Sequence, residues 1–269
     1  VVAHVVVGRI VNRAEPHRAD AQPFQIIQPG DQIFLERGSV FIGECLHLYA
    51  GGTKEAPVVV DAYGEGALPR IEADGNGIWY QNYGGHLDNV VHTWKGYLSS
   101  AVLLYDAEYI SIRNLEITNN PCIKNERLNQ ADRMNRTGVS VIAQNHGTLH
   151  QIELANLYIH DVEGNIYDKH LNNGGIYMSV SRPDDEEKTG IARYDGIHIH
   201  HCKVENCRRW GIAAGYTYQH DKFTTLELPD EVVKTYGSTN VVIEHNFVKD
   251  IGGDGITPMY CFEPLVQYN

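Results

Sequence analysis

Hydrophobic and polar positions alternate along this chain in short runs, and the runs recur. The stretches ISIRNLEITNN (110–120), IELANLYIHDV (152–162), IHIHHCKVENC (197–207) and VVIEHNFVKDI (241–251) are variants of one phrase. Anchored on Ile112, Leu154, Ile199 and Ile243, the copies are offset by 42, 45 and 44 residues. Within each copy the apolar residues take every second position, as in Ile152 and Leu154, then Leu157 and Ile159. That period predicts two strands with one buried face each, bent where the phase breaks. A further short strand accompanies each copy: AVLLY (101–105), GVSVI (138–142), GGIYM (174–178) and GIAAG (211–215). A fifth unit begins with GITPM (255–259) and PLVQYN (264–269). Self-similarity at a fixed period of this size means stacked structural repeats.

At the bend the four copies place Asn114, Asn156, His201 and His245 in register. Polar side chains stacked there can hydrogen-bond from one repeat to the next. Helical periodicity is scarce between 100 and 269, and Gly-rich turns (Gly138, Gly174-Gly175, Gly211, Gly252-Gly253, Gly255) punctuate the chain instead. A β-propeller repeats at a similar length, but its blades need four strands and tight hairpins. Two or three strand-like runs per repeat, with an insertion of variable length at one place, favour the coils of a parallel β-helix.

These phrases, together with PVVVDAYGEGALPRIEADG (57–75), NNGGIYM (172–178) and RRWGIAAGYTY (208–218), resemble the pectate-lyase-like superfamily, and in particular bacterial carbohydrate-active proteins of that kind. The resemblance covers roughly 32–269. It implies an all-β, right-handed parallel β-helix with loop insertions, secreted to the extracellular space or periplasm, acting on a carbohydrate. It is specific for fold and weak for reaction, since the superfamily holds lyases, hydrolases, esterases and non-catalytic spikes. On this reading residues 1–269 form one domain, with an opening segment over 1–31 and regular coils over 100–269. Asn269 falls in mid-rung, so the C-terminal end is expected to be uncapped and continued by further coils of the native polypeptide or a partner chain.

Charge narrows the ligand. The net charge of −12 argues against nucleic acid, whose phosphates are bound by Lys/Arg clusters, and disfavours polyanionic glycans unless a cation bridges them. Neutral or weakly charged glycans fit better, and 16 Tyr and 3 Trp offer faces for sugar rings. No run approaches the ~18 apolar residues that a membrane span needs. The five Cys (45, 122, 202, 207, 261) lack C-x-x-C spacing and read as small buried hydrophobes.

The last outward position of each phrase gives Asn119, Asp161, Asn206 and Asp250, and the following strand is entered through Gly174, Trp210 and Asp254. The two lines border one strip, to which the insertion after Asp161 adds Glu163, Asp168, Lys169 and His170. Glycoside hydrolysis needs one protonated carboxyl and one ionised group as base or nucleophile. Asp161 and Asp254 are the expected pair, with Asp250 and Asp168 as substitutes. Glu163, His170, Tyr177, Trp210, Tyr216 and Tyr218 are the candidates for binding substrate. A hydrolase of this kind is expected to need no cofactor. The runner-up is a polysaccharide lyase acting on a uronate polymer. It would use Lys169, Arg209 or His170 as base and calcium held by Asp161 and Asp250. A non-catalytic glycan-binding β-helix is the third reading.

Other signals are weaker. His198 and His200 share one face of a strand, but no third ligand stands at a defined spacing, so no metal site is assigned. RPDDEEKTGIARYD (182–195) reads as a solvated loop, and LPDEVVKTY (228–236) as a short helix with Pro229 early. Asn135-Arg136-Thr137 has the form of a glycosylation sequon.

Overall fold

A computed structural model describes residues 5–6, 27–85, 87, 93–120, 134–225 and 227–269. Most of the opening segment 1–31 and Cys122 lie outside the described residues. The chain visits three sheets in turn. The first holds Val5–Val6, Gln32–Glu36, Val58–Tyr63, Ile110–Arg113, Thr148–Ala155, Arg193–His200, Thr239–Glu244 and Leu265–Gln267. The second holds Val40–Ile42, Arg70–Glu72, Glu116–Asn119, Tyr158–Val162, Lys203–Cys207 and Phe247–Ile251. The third holds Leu46–Leu48, Lys95–Tyr105, Asn135–Ala143, Gly174–Val180, Trp210–Thr217 and Asp254–Pro258. Pairing is parallel throughout, except that Ile78–Asn82 runs antiparallel to Lys95–Tyr105.

The repeat phrases are the register. Ile112 pairs with Leu154, Leu154 with Ile199, and Ile199 with Ile243, and the column extends back through Val60 to Ile33 and on to Val266. Its central members are fully buried, as are the matching columns of the second sheet (Ile71, Ile117, Ile159, Val204) and the third (Val102, Val139, Ile176, Ile212). Each such aliphatic contributes about 1.5–3 kcal/mol over its exposed state. Where the second and third sheets press together there is no room for a side chain. A Cβ on Gly175 would stand 2.6 Å from the Gly211 carbonyl and 2.5 Å from Val204, and one on Gly211 would stand 2.3 Å from the Gly255 carbonyl.

Two features depart from the sequence reading. The right-handed parallel β-helix with an uncapped C-terminal end is corrected to an all-β stack of three parallel sheets with an antiparallel hairpin on the third. Period-2 runs specify strands and their neighbours but leave the hand of the path open. The second departure is on the third sheet, which is buried on both faces: Gly174–Val180 and Trp210–Thr217 are buried at every position. A second cluster of Trp79, Tyr83, Leu98, Leu171, Tyr177, Trp210 and Tyr216 covers its outer side.

The insertions behave as their composition suggests. Residues 182–195 carry a one-turn helix, Glu186–Thr189, without a buried residue, and Asp230–Tyr236 is helical directly after Pro229. Asn135 and Thr137 are buried in a strand, so the sequon offers no acceptor. Cys45, Cys202 and Cys207 are buried free thiols, and burial pushes Cys45 and Cys202 up to about 12. Among the described residues no helix is long and apolar enough to cross a membrane.

Candidate active site

The corner between the second and third sheets is two residues long in two turns, at Arg208-Arg209 and Gly252-Gly253, and eleven long (163–173) in a third. The long corner leaves the strand Tyr158–Val162 just after Asp161, which has φ of 51°. Asn206 and Asp250 occupy the equivalent left-handed positions at 51° and 53°. Asn and Asp tolerate that conformation best among side-chain-bearing residues, so this column is first a backbone requirement. Asn119 is not part of it. A register shift sets it opposite Val162, and it is buried, donating to the Thr137 carbonyl at 3.0 Å.

The 163–173 segment is clamped by the body of the molecule. The Tyr177 hydroxyl donates to the carbonyls of Lys169 (3.0 Å) and His170 (3.1 Å), and the Tyr83 hydroxyl reaches the same His170 carbonyl at 2.7 Å. Trp210 Nε1 donates to the Lys169 carbonyl at 3.3 Å. Asn173 donates to the carbonyls of Asn165 and Asp168. Glu163 receives Arg136 on its carbonyl at 2.6 Å and Arg208 on its carboxylate at 3.2 Å.

These clamps present one half-buried carboxyl. Asp168 accepts from the backbone N–H groups of His170 (3.0 Å) and Leu171 (3.4 Å) through Oδ1, and from Asn135 Nδ2 (2.9 Å) through Oδ2. Burial raises its pKa above the ordinary carboxylate value, although those hydrogen bonds and the charge of Arg209 work in the opposite direction. The Arg209 guanidinium also lies 3.8 Å from Asp254 and over the Trp210 ring, 4.7 Å from its centroid. Asp254 itself is exposed and pairs in register with Trp210. The structure therefore gathers Asp168, Arg209, Asp254 and Trp210, with Asp161 at the point where the long corner departs.

The other candidates divide. Asp161 accepts from Asn206 and meets His160 Nδ1 at 2.7 Å. Asp250 is exposed, with Lys249 at 3.4 Å. The Lys169 side chain is exposed, while its carbonyl carries the two clamps above. Tyr177 is corrected from a substrate contact to a buried support, being fully enclosed. Tyr216 packs edge-on to Tyr83 and His170, and Tyr218 turns away to donate to Glu186 at 2.7 Å. His170 is likewise buried. The sequence reading missed Asn135 and Asn173, the side chains that hold Asp168 and its segment. The buried run NRTGVSVIA around Asn135 was the available signal.

No protein-family model matches the chain. The crystal structure of a GH136 lacto-N-biosidase from Eubacterium ramulus, solved as native protein and as selenomethionine derivative, superposes with TM-score 0.88 and 56% identity over 90% of this chain. A lacto-N-biosidase of Bifidobacterium longum subsp. longum is 38% identical over 275 residues, again 90% of this chain. The chain spans 39% of the length of the first and 17% of the second. The similarity overturns the resemblance to the pectate-lyase-like superfamily and moves it to GH136 lacto-N-biosidases. Stacked strand phrases reflect pairing geometry common to many families. Both relatives are named lacto-N-biosidases, which are hydrolases of glycosidic bonds, the class that the carboxylate strip favours over a lyase.

Proposed function

We propose that this chain forms part of a glycoside hydrolase of the lacto-N-biosidase kind, cleaving an oligosaccharide without a cofactor, with Asp168 as proton donor. The observation that carries the assignment is the clamped, half-buried Asp168 carboxyl, whose burial favours the protonated form that a general acid needs. Asp168 gives its proton to the leaving glycosidic oxygen, and an ionised carboxylate, Asp161 or Asp254, serves as nucleophile or as base toward water. The similarity to GH136 lacto-N-biosidases supports the substrate class. The lyase reading loses ground because Arg209 is engaged by Asp254 and Trp210, and Lys169 points to solvent. We place the reaction outside the cell or in the periplasm, where such glycans are met.

The test uses the full-length protein with a nitrophenyl lacto-N-bioside and with oligosaccharides carrying that disaccharide. New reducing ends and ultraviolet absorbance are read in parallel. Asp168→Asn should lose far more activity on the oligosaccharide than on the nitrophenyl glycoside, whose leaving group needs little protonation. Azide restoring turnover to Asp161→Ala or to Asp254→Ala identifies the ionised partner. Absorbance from an unsaturated uronate, or Asp168→Asn retaining full oligosaccharide turnover, would overturn the proposal.

A further inference from the structure

The outer face of the first sheet lies away from the 163–173 segment and carries a different chemistry. Ile197 and Ile199 point into the core, so His198 and His200 on the same strand point out, with ring centroids 4.0 Å apart. Glu153 stands on the adjacent strand, in register with His198. His200 Nε2 lies 3.2 Å from Glu153 Oε1, and His198 Nε2 lies 3.1 Å from Glu244 Oε1 on the strand at the other side. One ligand atom from each of Glu153, His198 and His200 falls within 4.8 Å of the others, the only such trio among the described residues. A tetrahedral ion with bonds of about 2.0–2.2 Å holds its ligand atoms roughly 3.3 Å apart, so small side-chain rotations complete the arrangement.

We propose that Glu153, His198 and His200 form a binding site for a divalent transition ion of the zinc, nickel or copper class, with Glu244 or water as fourth ligand. Two imidazoles with a carboxylate suit those ions; calcium and magnesium prefer oxygen-only sets. The surroundings are those of a supported site. Arg113 Nε contacts Glu153 Oε2 at 3.4 Å, Gln267 donates to Glu244 Oε2 at 2.6 Å, and His200 Nδ1 lies 2.9 Å from His201 Nδ1. When His200 Nδ1–H donates to His201, its Nε2 lone pair is free for the ion, the usual way a ligating imidazole is oriented. Elsewhere a histidine meets one or two carboxylates, as His160 does with Glu116 and Asp161, or two histidines take opposite oxygens of one carboxylate, as His146 and His150 do at Glu108. Those are ladder contacts, whereas the His198–His200 pair converges. His198 and Glu244 are partly exposed, so an ion reaches them from solvent.

The experiment is zinc titration of the chelator-stripped, full-length protein against a chromophoric zinc indicator, with cobalt(II) absorption as a second readout. One equivalent should bind, and His198→Ala or His200→Ala should weaken that binding by about 100-fold, with Glu153→Gln weakening it by about 10-fold. Asp168→Asn should bind zinc as the wild type does, which separates this site from the hydrolytic corner. Metal-free melting of each variant at the wild-type midpoint confirms that folding is intact. No uptake by the wild type, or equal uptake by the His198→Ala/His200→Ala double variant, would sink the proposal.

Discussion

Two corners of this molecule turn the chain in opposite styles. From Ile110 onward the corner from first to second sheet takes two residues in each of four successive turns: Asn114-Leu115, Asn156-Leu157, His201-Cys202 and His245-Asn246; the two turns before them take three (37–39) and six (64–69). The first member has φ of 57°, 52°, 54° and 55° in turn, and its N–H bonds the carbonyl of the neighbouring turn. His201, His245 and Tyr268 stack there, with centroids 5.1 and 5.0 Å apart. The corner from second to third sheet varies in length and carries the clamped Asp168. Uniformity marks a position dictated by the backbone, where polarity serves the turn. Variation marks a place where the chain is free to present a side chain without disturbing the stack.

The sharpest way to break this comparison is at Asp168. Asp168→Asn should lower kcat/KM on an oligosaccharide by about 10²–10⁴-fold, measured by release of reducing ends. In the wild type the basic limb of the pH profile should follow the raised pKa of Asp168 and move to higher pH in Arg209→Met, since Arg209 works to lower it. Stability has the same sign. A carboxyl whose folded pKa is raised binds more protons when folded, so its contribution is present at low pH and is lost as pH rises through that pKa. Denaturant melts of Asp168→Asn should lack that slope.

At the uniform corner the effects should fall on stability. Leu157→Ala beneath Asn156 removes a buried side chain and should cost about 2–5 kcal/mol, with turnover per folded molecule unchanged. Tyr177→Phe tests the clamps. It takes one donor from the Lys169 and His170 carbonyls and should cost about 1 kcal/mol, while turnover falls more than stability does. Asn156→Ala should cost about 1 kcal/mol in chemical denaturation, and Asn156→Gly should restore it, because glycine adopts positive φ without strain.

What was legible follows from burial on one face or two. In the first sheet, Ile152 and Leu154 alternate with the outward-facing Gln151 and Glu153, and the strands and register could be read directly. In the third sheet, GGIYMSV and WGIAAGYT are buried throughout. Reading them as one-faced turned Tyr177, Trp210 and Tyr216 into presumed sugar contacts. Asp168 was within the expected strip but ranked behind Asp161, because its burial depends on Asn135, more than thirty residues earlier in the chain. Glu153, the third ligand of the proposed ion site, precedes His198 by 45 residues, the same offset that separates Leu154 from Ile199. The repeat length, applied to polar positions as well as apolar ones, would have found it.

The glycine column between the second and third sheets has a metric consequence. With no side chain at Gly175 or Gly211, Val204 and Val248 of the second sheet press directly onto the third-sheet backbone, while the spacing from one third-sheet strand to the next is the ordinary peptide hydrogen-bond repeat. Gly174, Trp210 and Asp254, the first residues of three successive third-sheet strands, are therefore graduations on a ruler with a step of about 4.8 Å. A linear ligand lying along the stack would be measured in those steps, whatever side chains the corners present.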